Sequence, residues 1–465
     1  MIDGRTENAR TLASLLGVNV EEAAPLLDVA IAVTADPADE AGMAVARHLQ
    51  RFLRRTVVEA PLNSFRANVA AEVVIGAAAP CRAGAVRVHI SRDCIVIGTW
   101  APTEVVCPDT HPVLHVLAAC YAAGVVLKSV FGAHLQVPGP AASNGLTIPI
   151  SSILGPDPTW LTADFVLSGT YLAGAGAIGN SFLYALSLLR VSGALVVVDP
   201  DTVSAGNLNR CVWFTSNDIG LPKASRLSDL AQPSFPRLTL IPQRETLQDL
   251  GKAQSTEMWL KRLVVAVDRR RTRRHLQLEI PGEVFDASTT GAIECVFHHH
   301  VQPTDSACLA CIYYESVDEL ARERHLAETL GVELTDIAQH FVSPDAARRI
   351  HERYPDVPVE ALGGQAYDTL FKALCGEAKL LTADNRQVLA PFAFVSVFAG
   401  AYLAIELGRR LVLGKTACDF NYWRTSPWAS PVTDLKDMRG RHERCEFCSQ
   451  AVLLQTARGL WGHSQ

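Results

Sequence analysis

A glycine-rich turn between a predicted strand and a predicted helix constrains the fold of this chain most. Gly174, Gly176 and Gly179 follow the apolar run Phe165–Ala173 and precede a helical pattern over Ser181–Arg190. Glycines at this spacing let the backbone approach a phosphate, and the start of the next helix offers unpaired N–H groups. The turn predicts a nucleotide site, although an NAD enzyme would show the same turn.

Four more apolar segments follow the turn and alternate with helical patterns. They are Ala194–Val198, Leu238–Pro242, Leu263–Val267 and Val284–Ala287. Parallel strands need crossover connections, and strands covered by helices on both faces are apolar throughout. The pattern predicts an α/β fold with a mostly parallel, Rossmann-like sheet.

Charged residues at the predicted strand ends favour a triphosphate over a dinucleotide. Asp199 ends one strand, where a carboxylate can accept hydrogen bonds from a ribose. Asn207, Arg210 and Lys223 follow, and such cations offset the charge that builds as pyrophosphate leaves. Asp268 ends another strand and is a candidate Mg²⁺ ligand. Together these residues predict a site for ATP and magnesium.

The first 140 residues predict a second α/β domain. Leu27–Val33 and Ala71–Ile75 have the pattern of buried strands, Ala41–Arg54 that of a helix, and Ala85–Thr99 that of a hairpin. The Pro/Gly/Ser-rich stretch Gln136–Pro158 predicts a linker to the second domain, residues 159–465.

Two long apolar segments suggest that the halves are duplicates. Pro112–Phe131 and Pro391–Leu413 both begin at a proline, contain a central glycine and end near basic residues. The alternative is that any buried helix rich in small residues has this composition. The first half has no glycine-rich turn, so a duplicate there has lost its nucleotide site. Residues 316–364 are charged and broken by prolines, which predicts a helical insertion over about 316–380.

Composition argues against some classes of partner. The chain has 465 residues, of which 49% are apolar, and a net charge of −6, which argues against nucleic acid. Its start lacks the pattern of a secretory signal, and charged or polar residues interrupt both long apolar segments. We therefore expect buried helices, no membrane partner and a cytoplasmic location.

Two cysteine pairs predict a metal site. Cys308 and Cys311 form one Cys-x-x-Cys pair, and Cys445 and Cys448 form another. Two such pairs can supply a closed, tetrahedral, structural zinc site. A redox pair is the alternative, which the presence of two pairs disfavours. A run of three histidines, His298 to His300, has a strand pattern whose alternation argues against a shared metal site.

These motifs resemble the ThiF/MoeB and ubiquitin-activating family of adenylating enzymes over roughly Phe165 to the C-terminus. The matching motifs are Gly174-Ala-Gly-Ala-Ile-Gly179, Asp199-Pro-Asp201-Thr-Val203, Asn207-Leu-Asn-Arg210, Asp218-Ile-Gly-Leu-Pro-Lys223, and Asp268 with Arg273. The resemblance implies that Asp199 binds ribose, that Asn207, Arg210 and Lys223 handle the phosphates, and that Asp268 holds magnesium. Asp201 belongs to the nucleotide-binding set through its motif.

The resemblance also implies a substrate and partners. The substrate would be a ubiquitin-like protein with a C-terminal glycine, and the product would pass to a conjugating enzyme. Cys375, after the charged stretch 316–364 and shortly before the second long apolar segment, is the candidate thioester nucleophile, with Cys418 as the runner-up. Cys211 and Cys295 are expected to be structural. A sulfur-carrier or peptide adenylyltransferase would need no thioester.

Two departures from the family pattern concern the phosphate end of the site. Cys211 stands where family members often have glutamine. The chain also lacks an arginine-rich segment before the first strand of the second domain, from which the family sends an arginine to its partner's ATP site. Arg5 and Arg10 are the candidates to replace that arginine. The first domain would then be a degenerate adenylation-like partner in a pseudo-dimer within one chain, and a homodimer is the alternative.

Overall fold

The computed structural model describes residues 4–462 with gaps. The gaps are 65–67, 133, 255–257, 316, 340–341, 364, 366, 368–369, 372–373, 375–388, 415–419 and 432–433. The chain forms two compact units. One spans Tyr313–Leu389, and the other contains the residues before and after it.

Helices alternate with strands along most of the chain. The helices are α1 (Gly4–Leu16), α2 (Val20–Ala23), α3 (Glu40–Leu53), α4 (Pro112–Phe131), α5 (Ile150–Leu154), α6 (Ala177–Leu186), α7 (Lys223–Ala231), α8 (Leu247–Lys252), α9 (Arg270–Leu278), α10 (Leu309–Ile312), α11 (Val317–Leu330), α12 (Leu334–Ala338), α13 (Pro344–Arg353), α14 (Val359–Leu362), α15 (Ala393–Leu413) and α16 (Ala451–Trp461). The strands are β1 (Ile31–Ala35), β2 (Ala71–Ile75), β3 (Val86–Ile90), β4 (Cys94–Gly98), β5 (Leu146–Pro149), β6 (Phe165–Val166), β7 (Thr170–Ala173), β8 (Val191–Val198), β9 (Leu238–Gln243), β10 (Arg262–Val265), β11 (Glu283–Thr290), β12 (Glu294–Val301), β13 (Tyr422–Thr425) and β14 (Leu435–Asp437).

The first sheet has the order β1-β2-β3-β4-β5. β1, β2 and β3 run parallel, and β4 lies antiparallel to both β3 and β5. The predicted linker Gln136–Pro158 contains β5, so that prediction was wrong for this part. Leu146 and Ile148 alternate inward and close the sheet against β4, which outweighs the loop-like composition around them.

The second sheet has the order β14-β13-β12-β11-β10-β7-β8-β6, and β9 pairs with the other edge of β8. β6 to β11 form parallel pairs, and β12 to β14 form antiparallel pairs. The predicted α/β fold with a mostly parallel sheet is confirmed. The run Phe165–Ala173 is split into β6 and β7, with Gly169 at φ +72° between them. The helix after the turn begins at Ala177 rather than Ser181, since Gly176 is its N-cap.

The two sheets repeat one strand order. The series are β1-β2-β3-β4-β5 in the first sheet and β7-β10-β11-β12-β13 in the second. In each series, the first two pairs of neighbouring strands are parallel and the last two pairs are antiparallel. A long helix, α4 or α15, stands between the fourth and fifth strand of each series. This agreement supports the predicted duplication of the halves.

The two long helices pack against each other in the core. The hydroxyl oxygens of Tyr121 and Tyr402 lie 3.1 Å apart, and Phe398 meets the ring of Tyr121 edge-on. The central glycine of α15, Gly400, allows close packing on α6, because a Cβ there would lie 2.4 Å from the Phe182 nitrogen. α4 is long and apolar enough to span a membrane, but most of it is buried inside the fold, as in the core helix of a globular protein.

The unit Tyr313–Leu389 is helical where it is described. It has a small apolar core of its own, which includes Leu326, Leu330, Ile350 and Phe371. The boundaries given above for the insertion and for the two domains stay predictions.

Candidate nucleotide site and metal centre

The three glycines of the turn have different surroundings. Gly174 has φ +103°, and a Cβ on it would lie 2.7 Å from the carbonyl oxygen of Ala266. A Cβ on Gly179 would lie 2.0 Å from the carbonyl oxygen of Gly174. A Cβ on Gly176 would meet no described atom within 4 Å. Gly174 and Gly179 are therefore required by packing, whereas Gly176 leaves space open at the start of α6.

The predicted strand-end residues lie along one edge of the second sheet. In the register of the sheet, Ala173 pairs with Val198 of β8 and with Val265 of β10. The glycine turn directly follows Ala173, and Asp199 directly follows Val198. Because these strands are parallel, the loops after them emerge at the same edge, where α/β sheets bind ligands.

Asp199 braces the glycine turn. It is 6% exposed, and its carboxylate accepts hydrogen bonds from the backbone nitrogens of Ala175 at 2.7 Å and Asp201 at 2.9 Å. Burial raises the pKa of Asp199, an effect that the nearby Lys223 opposes. This geometry gives Asp199 a structural role, and its contact with a ribose stays a prediction.

Lys223 brings a buried positive charge to this edge. Lys223 is the first residue of α7, and its Nζ lies 2.9 Å from a carboxylate oxygen of Asp201. Burial alone would lower the pKa of Lys223, but Asp199 and Asp201 raise it above its usual value. The ammonium therefore stays charged and held in place, as a phosphate ligand must be.

Asn207 and Arg210 lie in a loop that we call the 204–214 loop, from Ser204 to Phe214. The side-chain oxygen of Asn207 accepts from the Ser204 nitrogen at 3.0 Å, which caps a short 3₁₀ turn. Arg210 donates through Nη1 to the Gly206 carbonyl and to the side-chain oxygen of Asn209, both at 2.8 Å. The loop thus has a defined fold of its own.

Asp268 is exposed in the loop between β10 and α9, beyond the strand that was predicted to end at it. β10 itself ends at Val265. The buried guanidinium of Arg273 donates to the carbonyl oxygen of Val267, to the carboxylate of Asp286 and to the carbonyl oxygen of Ala287. Arg273 therefore fixes the position of Val267, the residue before Asp268, which gives the Arg273 of the Asp268 motif a structural role.

Two further polar residues near the site, Asn180 and Asp218, have structural roles. Asn180 on α6 donates to the Ala175 carbonyl at 2.9 Å and accepts from the Trp213 nitrogen at 3.2 Å. It therefore joins the glycine turn to the 204–214 loop. Asp218 is fully buried, accepts from Thr215 and pairs with Arg226. Its part in the Asp218–Lys223 motif is structural, and only the family motif pointed to it.

The two candidate arginines of the first half have different surroundings. Arg5 pairs with Asp28, at the surface of the first half. Arg10 pairs with Glu7 at 3.7 Å, and the Glu7 carboxylate lies 3.6 Å from the Cβ that Gly206 would carry. Both arginines belong to a helix that lies beside the 204–214 loop, but the Arg5 guanidinium pairs with Asp28, whereas Arg10 pairs with Glu7, the residue next to Gly206.

The four predicted zinc ligands lie together. The Sγ atoms of Cys308 and Cys311 are 3.6 Å apart, and Cys445 and Cys448 each lie 3.6 Å from one or both of them. A tetrahedral zinc ion with Zn–S bonds of about 2.3 Å requires S···S distances of about 3.8 Å, whereas a disulfide requires about 2 Å. The set fits a closed metal site and would tie the start of α10 to the segment before α16.

The remaining cysteines and the histidine run add no second metal site among the described residues. Cys375 and Cys418 lie outside the described residues. Cys211 and Cys295 are fully buried, and burial raises the pKa of both thiols, which opposes a reactive thiolate. The alternation predicted for the histidines is confirmed. The rings of His298 and His300 lie with their centres 5.1 Å apart on one face of β12, and His299 forms a hydrogen bond with Glu283 on the other face.

Sequence comparisons agree with this geometry. The sequence profile of the ThiF family matches residues 166–446, and that of the E1 N-terminal domain matches residues 1–149. The protein y4jF of Sinorhizobium fredii is 27% identical over 373 residues, which cover 75% of this chain and 69% of that protein. The NEDD8-activating enzyme E1 catalytic subunit of Saccharomyces cerevisiae is 25% identical over 233 residues, which cover 47% of this chain and 73% of that subunit.

A solved structure adds a more distant likeness. The crystal structure of MccB from E. coli with ATP has a TM-score of 0.38 and 13% identity, and the match covers 78% of this chain and 97% of that chain. The family assignment depends on the sequence profile, which covers more than half of the chain. The chain belongs to the ThiF family of E1-like adenylating enzymes.

Proposed function

We propose that this protein uses ATP to adenylate the C-terminal carboxylate of a ubiquitin-like protein. The observation that carries the proposal is the single sheet edge shared by the glycine turn, Asp199, Lys223 and the loop to Asp268. The match of the first half to an E1 N-terminal domain supports a protein carboxylate as the substrate.

The first step joins the two substrates. A carboxylate oxygen of the carrier attacks the α-phosphorus of ATP, the bond to the bridging oxygen breaks, and pyrophosphate leaves with that oxygen. Lys223 and Arg210 neutralise the charge that builds on the leaving group. Asp268 would hold Mg²⁺, which reduces the charge of the phosphate oxygens when it is bound.

The first half would act as a degenerate partner within the same chain. The repeated strand order and the E1 N-terminal match support this role. We propose Arg10 as the arginine that reaches the phosphates from this half, because Glu7 holds it beside Gly206. A homodimer in which a second copy supplies the arginine is the alternative.

A second step would form a thioester. The Cys375 thiolate would attack the acyl carbon of the adenylate, so that a C–S bond forms and AMP leaves with the C–O electron pair. The thiol proton goes to solvent, and the acyl group then passes to the thiol of a conjugating enzyme. Support for this step comes from the position of Cys375 near the end of the predicted insertion and from Lys372 and Lys379 near it in the sequence.

A peptide or sulfur-carrier adenylyltransferase without the second step is the alternative. The family assignment fits both functions, and only the fate of the adenylate separates them. In either case we propose a zinc ion on the four cysteines as a structural element, in a protein of the cytoplasm.

Pyrophosphate–ATP exchange tests the first step. Exchange should require a ubiquitin-like protein with a C-terminal glycine and should fall by at least about a hundredfold in Asp268→Asn. Asp229→Asn is the matched control, because Asp229 is exposed on α7. No exchange with a panel of carriers, or full exchange in Asp268→Asn, would refute the proposal.

A thiol-sensitive adduct tests the second step. Wild-type protein with ATP and carrier should form an adduct that dithiothreitol cleaves, and Cys375→Ser should lose it while it keeps full exchange. Cys81→Ser, at an exposed cysteine of the first half, is the control. Loss of the adduct in Cys418→Ser instead would identify Cys418 as the nucleophile. Exchange without any adduct would favour the alternative function.

A further inference from the structure

Arg55, just after α3 in the first half, binds the backbone of the 204–214 loop. Its guanidinium donates to the carbonyl oxygens of Leu208, Val212 and Phe214, the last two at 2.9 and 3.3 Å. These three carbonyls extend from the middle to the end of the loop. One side chain therefore fixes much of the path of the loop that carries Asn207 and Arg210.

A second set of hydrogen bonds connects Arg55 to the side chain of Arg210. Asn8 on α1 donates to the Arg55 carbonyl at 2.6 Å and accepts from the side chain of Asn209 at 3.0 Å. Asn209 in turn accepts from Arg210 at 2.8 Å. Asn8 and Asn209 are 3% and 2% exposed, so water does not compete for these bonds.

The same face of α3 also packs on the helix of the glycine turn. His48 lies 2.5 Å from the hydroxyl of Tyr184 on α6, through its Nδ1. Arg51 stacks over the rings of Tyr184 and Trp213, at 5.1 and 5.9 Å from their centres. α3 is thus in contact with both parts of the predicted nucleotide site, the helix after the turn and the 204–214 loop.

We propose that Arg55, assisted by Asn8, is a positioning residue that holds Arg210 and Asn207 in the geometry that binds a triphosphate. This inference rests on the proposed function. A guanidinium suits this role because its two Nη groups, held apart in one plane, reach three carbonyl oxygens spread along the loop, whereas an ammonium directs its donors from a single point. The half without a glycine turn would then contribute by shaping the phosphate end of its neighbour's site.

The test compares Arg55→Ala and Arg55→Lys with Arg54→Ala. Arg54 is the exposed neighbour of Arg55, so its substitution makes the same charge change without touching the loop. Titration calorimetry measures the affinity for ATP and for AMP, and hydrogen exchange measures protection of the 204–214 loop. We expect Arg55→Ala to lose about tenfold or more in ATP affinity, which corresponds to about 1.4 kcal/mol, and to keep AMP affinity within about twofold.

Arg55→Lys should give an intermediate loss, and free guanidinium should restore part of the exchange activity of Arg55→Ala. Unchanged ATP affinity and loop protection in Arg55→Ala would overturn the proposal, and so would an equal loss of ATP and AMP affinity, which a general structural defect would cause. If Arg55→Ala does not fold, Asn8→Ala tests the same chain of bonds. The affinities and loop protection decide the role of Arg55 even if no carrier supports exchange, so the two proposals can fail separately.

Discussion

Two substitutions in the glycine turn should have opposite effects: Gly179→Ala should lower folding stability, and Gly176→Ala should lower ATP affinity. A methyl group added to Gly179 would lie 2.0 Å from the Gly174 carbonyl oxygen, so the backbone of the turn must move by about 1 Å or more to reach an ordinary contact distance. Overpacking of this kind costs about 3 kcal/mol, and the better helix propensity of alanine returns about 1 kcal/mol. We expect Gly179→Ala to lose about 2 kcal/mol of stability.

Gly176→Ala should behave in the opposite way. A Cβ there would meet no described atom within 4 Å, and Gly176 has φ −76°, which alanine adopts without strain. The change at an N-cap position costs at most about 1 kcal/mol. The added methyl group occupies the space through which a phosphate would approach the N–H groups of α6, so ATP affinity should fall by about tenfold or more.

Urea unfolding and calorimetric titration with a non-cleavable ATP analogue measure both effects on the same samples. The reasoning is refuted if Gly179→Ala unfolds at the wild-type urea concentration. It is refuted equally if Gly176→Ala binds the analogue as tightly as the wild type. Gly220→Ala is unsuitable as a control because Gly220 has φ +86°, whereas Gly459→Ala, in α16 and with no described atom near its Cβ, serves well.

Two further predictions concern stability. Cys445→Ser should reduce bound zinc, measured by mass spectrometry, from one ion per chain and should expose residues 439–462 to trypsin, whereas Cys81→Ser should do neither. Burial alone would raise the pKa of Glu283, but His299 and Arg262 lower it to about 2. The ionised Glu283 carboxylate therefore stabilises the folded state fully above the pKa of about 4.5 that it has in the unfolded chain, and this stabilisation is lost as the pH falls through 2. Glu283→Gln should thus be less stable than the wild type at pH 6, by up to about 3 kcal/mol, with a difference in urea midpoint that shrinks towards pH 2; a pH-independent difference would contradict this.

The parts of the fold that a local pattern determines could be predicted from sequence. α4 begins and ends where Pro112 and Gly132 predict, and β2 has the predicted limits. β5 could not be predicted, because four residues between Pro/Gly-rich segments become a strand only through pairing with β4. The start of α6 was missed because glycines that look like the end of a turn also cap the helix.

In the candidate site, too, residues in local motifs could be predicted from the sequence, whereas residues that act through contacts distant in sequence could not. The residues proposed here to bind a phosphate or a metal ion belong to charged or cysteine motifs, and the sequence pointed to them. Asn8, Arg55 and Asn180 act through backbone carbonyls and buried amides, and their partners are distant in sequence or carry no motif. Only the packing of α1 and α3 on the second half makes these contacts visible.

The structure of the first half gives physical reasons to expect no nucleotide site there. Next to β1, the segment around Glu59 and Leu62 forms isolated parallel bridges, in the position that β8 occupies next to β7. Asn63 then accepts from the Ala35 nitrogen at 2.9 Å, much as Asp199 accepts from Ala175. β2 begins at Ala71, soon after Asn63, so the first half has no room for a counterpart of the loop with Asn207, Arg210 and Lys223.

The helix start that would receive a phosphate in the first half is already occupied. Asp39 caps α3 and accepts from the nitrogens of Gly42 at 2.7 Å and Val106 at 3.0 Å. The corresponding N-cap in the second half is Gly176, which has no side chain and open space before it. An internal carboxylate at that point satisfies the N–H groups and repels a phosphate. The contacts of the first half with the 204–214 loop, made by Asn8 of α1 and by Arg55 just after α3, are the described feature through which this half can act on its neighbour.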